Sequence, residues 1–184
     1  MTSIHQFNGS GHRANAIPAD GVWFELEVDN DIDPLEIVTL PQYEIDGSKY
    51  PKYLTALEIL RSASRWSYIG PKFEGKKICR VKFVSLGYVE TVKEAERKVV
   101  KMGYRLLEGQ ALKSFIKKFP KPDERIHPIP RPIIFGGSEW KDPEGEARVP
   151  YLMPLDSYDG WDPYFVCSNF VFAFPYWRWL IVSE

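Results

Sequence analysis

Alternating apolar and polar positions predict β-strands near both ends of the chain. In VWFELEV, Val22–Val28, apolar and polar side chains alternate with the period of two that is typical of a half-buried strand. The same pattern begins at Cys79, where Val81 and Phe83 share one face. Leu180–Val182 is a short apolar segment, which is typical of a strand in the middle of a sheet. These patterns predict an early strand, a second strand from Cys79 and a last, central strand.

Helical periodicity lies mainly between these strands. Thr91 is suited to cap a helix, because Glu94 follows three residues later and completes a capping box. That helix is predicted to run to Met102, with Gly103 at the position after its C-cap. A second helix is predicted over about Glu108–Lys118. Its inward residues are expected to be Leu112, Phe115, Ile116 and Phe119.

The remaining periodic segments complete the prediction of the fold class. A further helix is predicted at Tyr53–Trp66. The turn sequence DPEG, Asp142–Gly145, is expected to join Ile133–Trp140 to Arg148–Leu152 as a hairpin. The second half of the chain therefore has the order strand, helix, helix and then several strands, which predicts an α+β fold with the helices grouped early.

Composition and charge limit the kinds of partner that the protein is expected to bind. The chain has 184 residues, with 24 basic and 25 acidic side chains and a net charge of −1. That balance disfavours a broad nucleic-acid surface, which needs clustered positive charge. No apolar segment approaches the ~18 residues of a membrane span, and the N-terminus has no apolar region typical of a signal peptide. We therefore expect no nucleic-acid partner and no membrane insertion.

Candidate chemistry is sparse. The three histidines, His5, His12 and His127, lie far apart and have no metal-ligand spacing. Two cysteines, Cys79 and Cys167, do not make a disulfide framework; they could pair, but two buried free thiols are the preferred interpretation. The sequence predicts no catalytic residue and no cofactor.

Two acidic groups could suggest a metal site. The segment that begins at Asp29 imitates an EF-hand loop, but Pro34 and Leu40 stand where that loop needs glycine and glutamate, so we reject it. A second group could hold calcium, or its members could make their own turns: Asp156, Asp159 and Asp162. Turns are the preferred interpretation, and we predict no metal site.

The C-terminal part of the chain is rich in aromatic side chains. In SNFVFAFPYWRW, residues 168–179, only Arg178 is charged. Core strands would explain Trp179 and Ile181, or Leu180 and Val182. They would explain Tyr158, Tyr164 and other amphipathic residues less well, because such side chains supply contact area in binding surfaces. The sequence leaves both interpretations open.

Several motifs in order resemble a known family. They are LGYVETVKEAERKVVKMGYRLLEGQALKSFIKKFP, then PIIFGGSEW, then VPYL, then WRWLIVSE. This series is similar to the C-type-lectin-fold variable proteins of diversity-generating retroelements, including those of archaeal viruses. It covers about Cys79 to Glu184. The EPN, QPD and WND patterns of sugar-binding calcium lectins do not occur in it.

The resemblance implies a test within the sequence. Such retroelements change adenines, mainly in AAY codons, and these changes cannot produce Lys, Glu, Gln, Met or Trp. Between Pro154 and Tyr176 none of those types occurs except Trp161. The resemblance therefore implies a variable, solvent-facing set of ligand-binding residues: Asp156, Ser157, Tyr158, Asp159, Asp162, Tyr164, Ser168, Asn169, Phe172, Phe174 and Tyr176. It implies an unvaried scaffold of Trp140, Trp161, Trp177 and Trp179, with Arg178 beside them.

These observations lead to one expectation for the whole chain. Residues 1–77 are expected to be an N-terminal extension or small subdomain, whose first 21 residues form a loose arm or an early extended segment. Residues 78–184 are expected to form a C-type-lectin-like domain with a variable region at about 151–179. By the resemblance, the protein is a non-enzymatic receptor for a protein or glycan ligand, displayed on a virion or a cell. The alternatives are a virion or particle subunit with an aromatic interface, and an enzyme of the formylglycine-generating type.

Overall fold

A computed structural model describes residues 17–33, 36–37, 65–122, 132–154, 160–172 and 177–183. Within these residues the fold is α+β, with two helices and nine strands in one mixed, mostly antiparallel sheet. The helices are α1 (Val92–Lys101) and α2 (Ala111–Lys118). The strands are β1 (Phe24–Asp29), β2 (Ser67–Ile69), β3 (Lys76–Val84), β4 (Tyr104–Leu106), β5 (Ile133–Ile134), β6 (Glu139–Lys141), β7 (Ala147–Pro154), β8 (Trp161–Cys167) and β9 (Arg178–Ser183).

The strand order shows how distant segments meet. The main path runs β1-β3-β9-β5-β7-β6-β2, while β4 pairs with β9 and β8 pairs with β7. All pairs are antiparallel except β5 with β9. The predicted central position of the last strand is confirmed, since β9 pairs with β3, β4 and β5.

Strand β9 also separates two hydrophobic cores. Its side chains alternate between faces, as strand geometry requires. Leu180 and Val182 join the core that includes residues of α2, and Trp179 and Ile181 join the core that includes residues of α1. All four are buried. The two helices therefore pack into different cores, which share β9.

Helix α1 confirms the predicted cap. The Thr91 side chain accepts a hydrogen bond from the Glu94 backbone N–H at 3.2 Å. The Glu94 carboxylate accepts one from the backbone N–H of Glu90 at 2.7 Å, and this bond is the main reason that the pKa of Glu94 is lowered. Gly103 follows the helix with φ +79°, a left-handed conformation that glycine adopts without steric cost. These residues thus define the two ends of α1.

Helix α2 is shorter than the sequence predicts. It begins at Ala111 rather than about Glu108, because β4 and a tight connection occupy the preceding residues. That connection passes close to Gly137, where a Cβ atom would lie 2.5 Å from the Leu106 carbonyl oxygen. Of the predicted inward residues, Leu112, Phe115 and Phe119 are buried and Ile116 is half-buried.

The predicted hairpin is confirmed around its turn. Strands β6 and β7 pair through Trp140 and Arg148, and Gly145 N–H donates to the Asp142 carbonyl at 2.9 Å. Strand β5 is the first part of the segment that was predicted as the first strand of the hairpin. It also pairs with β7, and it pairs with β9 as well. This arrangement connects the hairpin to the centre of the sheet.

The described part of the N-terminal segment belongs to the same sheet. Strand β1 pairs with β3 along six residues, and β2 pairs with β6. Ile17 is buried in the core with α2, so the expectation of a loose arm is wrong at this residue. Most of the predicted helix at Tyr53–Trp66 lies outside the described residues.

A buried ion pair joins this segment to β9. The guanidinium Nε of Arg178 lies 2.9 Å from Oδ1 of Asp20, and the Arg178 side chain is only 2% exposed. The same guanidinium lies 5.2 Å from the ring centre of Phe83. Gly21, the residue after Asp20, donates its N–H to the Phe83 carbonyl at 2.9 Å. The segment around Asp20 is therefore attached to the middle of the sheet.

Candidate functional site

The structure describes only part of the predicted variable set. Asp162 and Tyr164 lie on β8, while Ser168 and Asn169 lie in the turn after it and Phe172 follows. Asn169 is exposed, and Tyr164 and Ser168 are half-buried. The other predicted members lie outside the described residues: Asp156, Ser157, Tyr158, Asp159, Phe174 and Tyr176.

Two predicted solvent-facing side chains are instead buried. Phe172 has no exposed surface and Asp162 is 3% exposed, so the expectation that they face outward is wrong. That expectation came from the family resemblance. Asp162 lies within β8, directly across from Met153 of β7. After β8 the chain turns at Ser168 and Asn169, and Phe172 then pairs with Val89 as an isolated bridge. The ring of Phe172 consequently points into the core.

A cluster of aromatic side chains packs against this part of the molecule. The Phe172 ring centre lies 5.0 Å from that of Trp179, 5.4 Å from that of Trp177 and 5.4 Å from that of Phe170. Trp177 in turn packs edge-on against Tyr151 at 5.5 Å. Such edge-to-face contacts add to the free energy gained from burial. The tail is thus held by rings from several elements.

Exposed side chains flank the bridge between Val89 and Phe172. We call them the tail patch and define it as Tyr88, Asn169, Phe170 and Val171. Tyr88 is 54% exposed, Val171 44% and Phe170 37%. Large apolar side chains grouped on a surface indicate an interaction site more often than isolated ones do. The patch is the most exposed apolar part of the predicted variable region among the described residues.

Backbone hydrogen bonds keep the tail patch in place. Val89 and Phe172 exchange N–H···O=C bonds of 3.2 and 2.7 Å, and the Val92 N–H donates to the Ser168 carbonyl at 2.9 Å. The segment before α1 and the tail are therefore joined on both sides of Val171. A surface fixed by main-chain bonds can change its side chains while its backbone stays in place.

Sequence reasoning located this region but missed several of its residues. Phe170 and Val171 lie in the predicted stretch, but neither was named as facing solvent. Tyr88 comes from the loop before α1, and only the Val89–Phe172 bridge brings it to the tail. No signal in the sequence links these two segments.

The predicted scaffold tryptophans occupy several layers of the fold. Trp140, Trp161 and Trp179 are buried, and Trp177 is half-buried. The indole N–H of Trp161 donates to the Phe119 carbonyl at 2.6 Å. The indole nitrogen of Trp177 is itself closed off from solvent and has no hydrogen-bond partner. A buried donor without an acceptor is costly, so it marks a place that a ligand could satisfy.

Asp162 is a second incompletely satisfied group. Its Oδ2 accepts a hydrogen bond from the Tyr164 hydroxyl at 2.6 Å, whereas its buried Oδ1 has no partner. Desolvation raises the pKa of Asp162, and the bond from Tyr164 only partly opposes that rise. The cost of burying this carboxylate is therefore not offset by a positive charge.

The two cysteines are free thiols, one on β3 and one on β8. Cys79 is buried, while Cys167 is only half-buried, which corrects the expectation that both are buried. Cys167 Sγ lies 3.2 Å from Oε2 of Glu146 and donates its proton to that carboxylate. Desolvation raises the pKa of both thiols, and for Cys167 the bond to Glu146 raises it further. A raised pKa lowers the thiolate fraction and hence the reactivity.

A polar cluster on the other side of the sheet is satisfied internally. Tyr68 donates its hydroxyl to the Pro71 carbonyl at 2.8 Å and lies 3.2 Å from Oε1 of Gln110. Ser138 Oγ accepts the Gly109 N–H at 2.8 Å. The nearby Glu108 carboxylate pairs with Arg105, although desolvation still raises the pKa of Glu108. Since these groups bond to one another, the cluster serves to join β2, the α2 start and the β5–β6 turn.

The described residues contain neither a metal-binding cluster nor a membrane-spanning helix. Among the residues that the structure describes, no group of three His, Cys, Asp or Glu side chains could hold a metal ion. In the EF-hand-like segment, Asp29 Oδ1 accepts the Asp31 N–H at 3.2 Å and Asp31 Oδ1 accepts the Gly75 N–H at 2.8 Å. No helix within the described ranges is long and apolar enough to cross a bilayer.

Comparison with known proteins finds no matching family model, no matching curated protein and no matching solved structure.

Proposed function

We propose that this protein is a non-enzymatic receptor whose C-terminal region displays a diversified ligand-binding surface. The observation that carries the proposal is the tail patch, an exposed apolar surface on a base of packed rings and main-chain hydrogen bonds. Such a base limits the ordering of loops on binding, so less affinity is lost to entropy. The sequence supports the diversification, because its motifs resemble retroelement variable proteins with a C-type lectin fold.

The ligand is a protein or a glycan, and its recognition serves attachment of a virion or a cell. Tyr88 and Phe170 provide aromatic anchors of the type that supplies most of the binding energy in interfaces. Asn169 adds an exposed amide that can donate and accept hydrogen bonds. Both kinds of contact suit a surface whose side chains are exchanged while the backbone stays the same.

Genomic sequence around the gene tests the diversification directly. We expect a reverse-transcriptase gene nearby and an imperfect copy of the codons for about residues 151–176. The copy should differ from the gene only at positions that are adenines in the copy, because that is how such retroelements mutate. Sequencing the locus checks this. A locus with neither feature would remove the diversification from the proposal.

A second candidate function is a particle subunit that uses the tail patch as its subunit interface. An exposed apolar surface favours this function as well, because stable interfaces bury such surfaces. The alternative of a cysteine-dependent enzyme is disfavoured, since the raised pKa of both thiols lowers their reactivity.

The variant Val171→Asp separates the receptor from the particle subunit. If the patch binds an external ligand, the variant and the native protein will have the same molar mass in light scattering after size-exclusion chromatography. The matched control is Val100→Asp, which changes an exposed valine on α1. A native oligomer that dissociates with Val171→Asp but not with Val100→Asp would favour the subunit interface.

A further inference from the structure

Among the described residues, Asp162 is the buried acidic side chain that has no counter-charge. Its residue is 3% exposed, and Oδ1 has no hydrogen-bond partner. Among the described residues no lysine or arginine forms an ion pair with it; Arg178, the one basic residue of the described tail, pairs with Asp20. Burying an ionised carboxylate without a counter-charge is unfavourable, even where one of its oxygens accepts a hydrogen bond. Such a group therefore favours a ligand that brings a positive charge.

Aromatic rings line the same face of the sheet. Tyr164 lies directly across from Tyr151 on the neighbouring strand, and the two rings stack at 5.4 Å with an angle of 22° between their planes. Trp177 packs edge-on against Tyr151 at 5.5 Å, and its indole nitrogen also lacks a partner. Tyr164 and Trp177 are half-buried, so part of this wall contacts solvent. Aromatic faces attract cations through their quadrupole.

A carboxylate beside aromatic faces suits one cation in particular. The guanidinium of arginine is planar and weakly hydrated, so it stacks on rings while it donates N–H bonds to a carboxylate. Oδ1 of Asp162 offers the acceptor, and Tyr164, whose hydroxyl bonds to the same carboxylate, offers an aromatic ring beside it. A metal ion would need more oxygen ligands, and no group of three suitable side chains exists among the described residues.

Access to Oδ1 requires a side chain to move, since this atom is closed off from solvent. Met153 lies directly across from Asp162 on β7 and is half-buried. Its unbranched thioether adapts easily, and rotamer changes of this kind are common when interfaces form. Displacement of Met153 would open the carboxylate from the β7 side.

We propose that the Asp162 site, made of Tyr151, Met153, Asp162, Tyr164 and Trp177, binds the guanidinium of an arginine side chain on a protein target. This inference rests on the proposed receptor function and selects a protein ligand over a glycan. Neutral sugars stack on aromatic rings, but they do not compensate the buried carboxylate. The tail patch and the Asp162 site share the cluster around Trp177, so one protein surface can contact both.

The test uses two blocked tripeptides that differ in charge, glycyl-arginyl-glycine and glycyl-citrullyl-glycine. Citrulline has nearly the shape of arginine but is neutral. Binding is followed through the indole N–H signals of ¹⁵N-labelled tryptophan, with Trp177 assigned by the variant Trp177→Phe. We expect the arginine peptide to shift the Trp177 signal and to bind at least about tenfold more tightly than the citrulline peptide. In Asp162→Asn, which keeps an acceptor for the Tyr164 hydroxyl, this preference should disappear.

The matched control is Glu144→Gln, which removes one negative charge at the exposed β6–β7 turn. It should keep the full preference for arginine, and a thermal melt should show that Asp162→Asn is folded. Equal binding of the two peptides by the native protein, or an equal loss in Glu144→Gln, would overturn the inference.

A glycan ligand would give a different result. Binding of neutral oligosaccharides that is unchanged in Asp162→Asn, without binding of the arginine peptide, would reject the guanidinium site and keep the receptor function. Failure of the receptor function itself would appear elsewhere, as dissociation of an oligomer by Val171→Asp.

Discussion

Replacement of Phe172 by alanine should lower the free energy of unfolding by about 3–5 kcal/mol, the usual cost of removing a buried phenylalanine. Phe172 has no exposed surface, and its ring contacts those of Phe170, Trp177 and Trp179. The cavity would lie at the point where the tail joins the sheet. The surrounding rings are held there and would move little to fill it. Urea denaturation followed by tryptophan fluorescence measures the change.

The neighbouring residue provides the control for Phe172. Val171→Ala should change the free energy of unfolding by less than about 0.5 kcal/mol, because Val171 is 44% exposed and surface changes have small effects. Similar losses in both variants would show that the tail has another arrangement. A small loss in Phe172→Ala would restore the expectation that this ring faces solvent.

The second large effect is expected at the buried ion pair of Asp20 and Arg178. Asp20→Ala should lower the free energy of unfolding by about 3 kcal/mol, because it removes a carboxylate that pairs with a guanidinium of 2% exposure. Asp20 itself is one-third exposed, which places the expected loss at the lower end of the range for buried pairs. Chemical denaturation at neutral pH measures it.

A double-mutant cycle separates this pair from other effects at Asp20. Arg178→Met replaces the charge by an apolar side chain beside Phe83, and buried pairs are often replaced in this way with little loss. The double variant Asp20→Ala with Arg178→Met should therefore be more stable than Asp20→Ala alone. Strictly additive effects would mean that the two residues do not interact.

The Phe172 and Asp20 variants change residues that support the candidate site, not residues on its exposed surface. Phe172 supports the tail patch from below, and Arg178 fixes the N-terminal segment to the strand that follows the tail. Variants of these supporting residues should therefore change the free energy of unfolding. Variants of Asn169, Phe170 and Val171 should mainly change what the surface binds, since these side chains project from the fold.

The sequence predicted the strands and the cap whose signals are local. The alternation in β1 and β3 and the capping pair of Thr91 and Glu94 depend on neighbouring residues only, and each prediction was confirmed. Strand β8 was missed. Asp162 and Pro163 favour turns, and the segment therefore resembled a loop. Proline is tolerated there because β8, in the described structure, pairs only with β7 and lies at an edge.

The orientation of the tail residues could not be predicted for a related reason. Side chains alternate between faces only while a strand continues, and the turn at Ser168 and Asn169 ends β8. Phe172 then takes its orientation from the bridge to Val89, a residue far away in sequence. The composition of the chain was thus sufficient to predict where the candidate site lies in the sequence. Which of its side chains are exposed depends on tertiary contacts.

The position of β9 affects how the protein must be made. Residues 178–183 fill the middle of the sheet, between β3 on one edge and β4 and β5 on the other. During translation, β3, β4 and β5 leave the ribosome before the strand that joins them. Until it arrives their open edges can pair with other chains, which is the usual origin of aggregation by nascent β-proteins. The delay also makes folding slow, because contacts between residues distant in sequence form late.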